Sequence, residues 1–123
     1  MQIFFYSSVD DQNTKRLETA VQRVIPPRQI ELLKSVEGFR ERLRMPIEPN
    51  SIAVLSASSR DELQQMQPFR GLLTEIYIIL VIPDRKKSTI ELAHLLLPRF
   101  LSQKTDNFVD LGKVLNKMVR ASH

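Results

Sequence analysis

Two loops in this chain concentrate the side chains that could do chemistry. Ser7-Ser8 is followed at once by Asp10-Asp11, and Ser56-Ala57-Ser58-Ser59 closes the apolar run before it. A serine nucleophile needs a positioned base, and the usual candidates are His94 and His123. His94 shares helical spacing with Ile90, Ala93 and Leu97 and reads as an inward-facing histidine, while His123 is far from either serine loop. No G-x-S-x-G elbow is present. Asp10 and Asp11 supply only two of the oxygens that Mg²⁺ requires, and acids near a helix start gain about 0.3–1 kcal/mol without any ligand. No cofactor or metal is expected, Mg²⁺ at Asp10 and Asp11 being the one alternative. Lys104 follows the short apolar pair Phe100-Leu101 and could face one of these acids. Cysteine is absent, which removes disulfides, thiolate nucleophiles and thiolate metal sites together.

For these groups to meet, the runs that precede them must end at one edge. Ile3–Tyr6, Ile52–Leu55 and Ile76–Ile82 are continuous apolar strands that want both faces buried. Residues 29–33 alternate, with Ile30 and Leu32 inward, and 100–102 are brief, so both suit sheet edges. Between them lie helical stripes: Leu17, Ala20, Val21 and Val24; Val36, Phe39 and Leu43; Leu63 and Met66; Ile90, Ala93, His94 and Leu97; Phe108, Leu111, Leu115 and Met118. Ser59 with Glu62, and Ser88 with Glu91, have capping-box spacing. The order β-α-β-α-β-α-β-α-β-α predicts a three-layer α/β/α domain over residues 1–123. Its five-stranded parallel sheet takes the flavodoxin-like order 2-1-3-4-5. A dinucleotide-binding half is excluded, because the loop from Ser7 to Asn13 contains no glycine. In the predicted fold Ser7, Asp10, Asp11, Ser56, Ser58 and Lys104 converge on the C-terminal edge of the sheet, where a nucleotide or other anion would bind.

The chain resembles the receiver domain of two-component response regulators. Phe100-Leu101-Ser102-Gln103-Lys104 looks like the last receiver strand with its lysine, and Phe108–Leu115 like the opening of the final helix. The resemblance implies an aspartyl phosphoacceptor after the third strand, an acid pair for Mg²⁺ after the first and a hydroxyl after the fourth. Here the third strand ends Leu55-Ser56-Ala57, with no Asp or Glu from Pro49 to Arg60. The fourth ends Ile82-Pro83-Asp84, and Asp10-Asp11 come a few residues late. The pattern is that of a degenerate receiver shell without aspartyl phosphorylation.

Charge points to a partner. The net charge is +4, and the excess belongs to residues 63–123, densest at Arg85-Lys86-Lys87. Leu95-Leu96-Leu97-Pro98 carries more leucine than one inner stripe needs, which places Leu96 toward water. Arg85, Lys86, Lys87 and Leu96 therefore form a candidate partner surface, for another signalling protein or for self-association through the fourth-helix to fifth-helix face. Tryptophan is absent and both tyrosines, Tyr6 and Tyr77, lie in strands, so nucleic acid is the lesser expectation. The longest apolar run has seven residues, too few for a bilayer, and no signal-peptide order opens the chain; a cytoplasmic protein with no membrane partner is expected. The expected function is non-catalytic regulatory protein binding, the alternative a small nucleotide- or anion-binding protein or enzyme.

Overall fold

The computed structural model describes residues 1–121. Five strands, β1 (Ile3–Ser7), β2 (Ile30–Leu33), β3 (Ile52–Ser56), β4 (Tyr77–Ile82) and β5 (Phe100–Gln103), pair in parallel in the order β2-β1-β3-β4-β5. The helices are α1 (Gln12–Gln22), α2 (Val36–Leu43), α3 (Arg60–Met66), α4 (Lys87–Leu95) and α5 (Val109–Ala121). This is the flavodoxin-like α/β/α arrangement expected, with two short 3₁₀ segments, Pro27–Gln29 and Gln67–Leu73, added.

Strand periodicity divides the core into two layers. Phe4, Tyr6, Ala53, Leu55, Ile78, Leu80 and Ile82 face α2, α3 and α4. Ile3, Phe5, Ile52, Val54, Ile79 and Val81 alternate with them and face α1 and α5. The three inner strands are buried on both sides, and each such side chain contributes roughly 1.5–3 kcal/mol. Edge strand β2 is wetter: Ile30 packs on the α1 and α5 layer and Leu33 on the opposite one. Leu32, expected inside, lies on the same face as Ile30 but stays half exposed where it lines a cavity at the sheet edge.

The helix starts are set by local hydrogen bonds. Asp11 caps α1 by accepting from the Thr14 amide at 2.8 Å, and Ser35 and Ser59 cap α2 and α3 in the same way. The expected Ser88–Glu91 capping box does not form, because α4 begins two residues earlier, with Lys86 at its N-cap and the Lys86 amide donating to the Asp84 carboxylate at 2.9 Å. The buried stripe of α4 runs through Thr89, Ala93 and Leu96. Leu96, expected toward water, is therefore core, and His94, expected inward, is exposed.

Candidate functional site

Strand register brings the serines to one edge: Ser7 lies opposite Ser56, which in turn lies opposite Val81. Ser7 is buried and serves the loop, donating to the Val9 carbonyl at 2.8 Å and lying 3.2 Å from the Thr14 hydroxyl. Ser56 is buried at the end of β3. Ser8 and Ser58 approach at 3.4 Å, and both bind a residue that the sequence reading had placed only as a cap, Glu62. Its carboxylate accepts from Ser8 Oγ at 2.5 Å, from Ser58 Oγ at 3.1 Å and from the Ser58 amide at 3.2 Å. It is 8% exposed. Its own amide donates to Ser59 Oγ, so Glu62 returns the bond one residue upstream of the usual capping box.

Beneath this carboxylate lies Tyr6, fully buried and stacked on Phe39 with ring centroids 5.5 Å apart. Its hydroxyl feels the carboxylate but closes no hydrogen bond of regular geometry. Burial, reinforced by the charge and oxygens of Glu62, pushes the phenol far above its ordinary value and keeps it neutral. Ser8, Ser58, Glu62 and Tyr6 thus form one polar cluster across β1, β3 and α3. Nothing in the apolar periodicity marks it; only the S-x-x-E spacing hinted at Glu62.

The remaining charges at this edge are mostly negative. Asp11 is held below the usual carboxylate range chiefly by the Thr14 amide it caps, with the Lys104 charge assisting. Asp84 is lowered first by the Thr89 hydroxyl, which faces it without closing a regular bond, then by the Lys86 amide and the charges of Lys86 and Lys104. The Lys104 charge acts on both Asp11 and Asp84, without an ion pair inside 4.0 Å among the described residues. Asp10 is exposed beside a cavity of about 230 Å³ shared with Ser7, Ser8, Glu18 and Lys34. That cavity opens toward β2, away from the crevice between β1 and β3 where an open α/β sheet places its ligands.

These donors do not make a Mg²⁺ site. Asp11 is committed to its cap, Asp10 faces a cavity shared with Glu18 and Lys34, and Lys104 adds positive charge beside Asp11. Among the described residues no three His, Cys, Asp or Glu side chains gather to hold a metal. An anion would meet carboxylates here: Asp11 and Asp84 stand near Lys104, and the Glu62 carboxylate is taken by Ser8 and Ser58. His123 lies outside the described residues.

The basic cluster sits beside this edge. Arg85 donates from Nε to Gln103 at 2.9 Å and from Nη2 to Asp106 at 3.5 Å, which pins it to the turn before α5. Lys86 and Lys87 begin α4 and are exposed. Lys87, Glu91 and Leu95 share one outward stripe at i, i+4 and i+8, so the cluster and Leu95 belong to one face about 12 Å long. Leu95 is 50% exposed and Leu97 is 74% exposed. Leu97 also has φ 55°, the left-handed conformation in which a helix normally ends on glycine. A leucine there costs roughly 1–2 kcal/mol.

No family model, curated protein or solved structure matches the chain. No helix among the described residues is long and apolar enough to cross a membrane.

Proposed function

We propose that this chain is a non-catalytic regulatory module of the signalling type, built on a receiver-like frame and working by protein binding in the cytoplasm. The observation that carries the reading is Leu97. Folding alone favours a glycine at that position, yet the chain holds a strained and exposed leucine there, next to exposed Leu95. Leu95 lies on the flank of α4 that begins at Lys87, and Leu97 follows just past the end of that helix. In the proposed contact the leucines supply desolvated area, and the lysines with Arg85 steer an acidic partner protein. Leu96 has no part in it.

Aspartyl phosphotransfer has no place in this function, because β3 ends without a carboxylate and the nearest buried one, Glu62, is occupied by Ser8 and Ser58. The alternative, a nucleotide or anion at the sheet edge, would have to bind against the carboxylates of Asp11, Asp84 and Glu62.

The test is affinity capture from the native host followed by binding kinetics on the recovered protein. Substitution of Lys86 and Lys87 by Glu is expected to slow association and flatten its salt dependence. Leu97→Gly is expected to speed dissociation. Unchanged kinetics in both variants, together with thermal stabilisation by nucleotides or phosphate esters, would replace this reading with the ligand-binding one.

A further inference from the structure

On the opposite face of the sheet, α1 and α5 leave a groove between them. Two adjoining hollows of about 460 and 280 Å³ share Ala20, Arg23 and Asn107 and together follow both helices. Lys15, Arg16, Arg23 and Lys113 line it, and no carboxylate does. Spacing explains the segregation: Gln12, Arg16, Thr19 and Arg23 recur along one side of α1, and Val109, Gly112, Lys113 and Asn116 along one side of α5. The nearest acids point elsewhere. Glu18 lines the cavity beside β2, Asp110 lines a hollow over β5, and the Asp106 carboxylate is taken by Ser102, Gln103 and Arg85.

The floor is apolar and unusually shallow in side chains. Ala20, Val24 and half-exposed Val109 form it with Gly112. Gly112 lies inside α5, where glycine is unfavourable relative to alanine, and a Cβ there would meet nothing within 4 Å. The fold itself does not require that glycine, and its bare backbone leaves the groove open at that point. Arg16 is already fixed for recognition, its guanidinium 5.1 Å from the Phe108 ring centroid and bonded to Asn13 and the Asp106 carbonyl. From Gln12 to Arg23 the groove runs about 16 Å, three helical turns.

We infer that this groove docks an acidic amphipathic helix of a partner protein, its small apolar residues against Gly112 and its carboxylates against Lys15, Arg23 and Lys113. Helix-in-groove binding uses such an apolar floor with charged rims. A nucleic-acid strand fits less well, because the one aromatic ring at the groove, Phe108, is buried beneath Arg16 and offers no stacking face.

The test uses the full chain and a fluorescent 15-residue helical peptide with glutamates at i, i+4 and i+7 and alanines and leucines on the other face. A 15-nucleotide single strand serves as the competing probe. Anisotropy is expected to show saturable peptide binding, and amide chemical shifts should move at Ala20, Val24, Val109, Gly112 and Lys113. Gly112→Leu, which fills the groove without changing charge, should weaken the peptide at least tenfold, as should Arg23→Glu with Lys113→Glu. Thermal unfolding of each variant confirms that it is folded, and Gly112→Ala provides a milder filling variant. Absence of peptide binding at 1 mM, tighter binding of the oligonucleotide, or binding indifferent to Gly112→Leu would each overturn the inference.

Discussion

Replacing Glu62 separates a structural carboxylate from a functional one. It receives three hydrogen bonds, from Ser8 Oγ, Ser58 Oγ and the Ser58 amide, and stands in the first turn of α3. Bonds to a charged acceptor are worth about 1.5–3 kcal/mol each, but Ser8 is exposed and Ser58 half-buried, so water recovers much of that when the acid is removed. The helix dipole adds about 0.3–1 kcal/mol. Glu62→Ala is therefore expected to cost about 2–3 kcal/mol, and Glu62→Gln, which keeps the shape and one acceptor oxygen, about 1 kcal/mol. In urea unfolding followed by far-ultraviolet circular dichroism, with a slope of about 1–3 kcal/mol/M, the alanine variant should lose on the order of 1–2 M in midpoint. A cycle with Ser8→Ala should give a coupling of about 1 kcal/mol. A Glu62→Ala protein within about 0.5 kcal/mol of the parent would refute the reasoning and return this carboxylate to the list of groups available to a ligand.

Incubation with acetyl phosphate and Mg²⁺ should leave the intact mass unchanged; an acid-labile phosphoryl adduct on an aspartate would show that phosphotransfer survives. Leu96→Ala should cost about 2–5 kcal/mol as a core truncation, whereas Leu97→Gly should stabilise by about 1 kcal/mol through relief of its backbone, and equal effects at the two positions would contradict the register of α4. Asp106 accepts from the Gln103 amide and Ser102 hydroxyl, both at 2.8 Å, and lies near Arg85; these, the amide foremost, hold its carboxyl below the ordinary range. Because the folded value is depressed, the stabilisation is present above the unfolded value of about 3.9 and is lost as pH falls through the folded one. Asp106→Asn should thus be less stable by about 0.5–1 kcal/mol at pH 7, allowing for its exposure, and the gap should close in acid; a gap that persists below pH 2 would contradict this.

The sheet was legible because apolar runs bounded by polar loops leave few alternatives for β1, β3 and β4. Their continuity required burial on both faces, and the strand order followed. The stripe of α4 differs from the expected one by a one-residue rotation. Thr89 has a polar name and a buried position, so the apolar letters around it pointed the α4 stripe toward His94 and Leu97 when it runs through Thr89, Ala93 and Leu96. Leu32 lies on the face that alternation with Ile30 gives it, but it stays half exposed beside a cavity at the sheet edge, which periodicity alone does not register. At the sheet edge the topology brings Ser7 opposite Ser56, but the Ser8 bond to Glu62 joins residues 54 positions apart, a contact that only the assembled sheet creates. The groove between α1 and α5 escaped notice for a related reason. Each helix alone shows an ordinary solvated face, and the absence of carboxylates emerges only when the two faces meet.

The α4 surface is tested most directly by site-specific photocrosslinking in the native host. A benzophenone side chain is placed at Lys87, Leu95 or Leu97, with exposed Arg40 on α2 as the control. Crosslinks to one protein of discrete mass are predicted from all three positions and none from Arg40. Equal crosslinking from Arg40, or none from α4, would contradict the claim that this face is where the protein works.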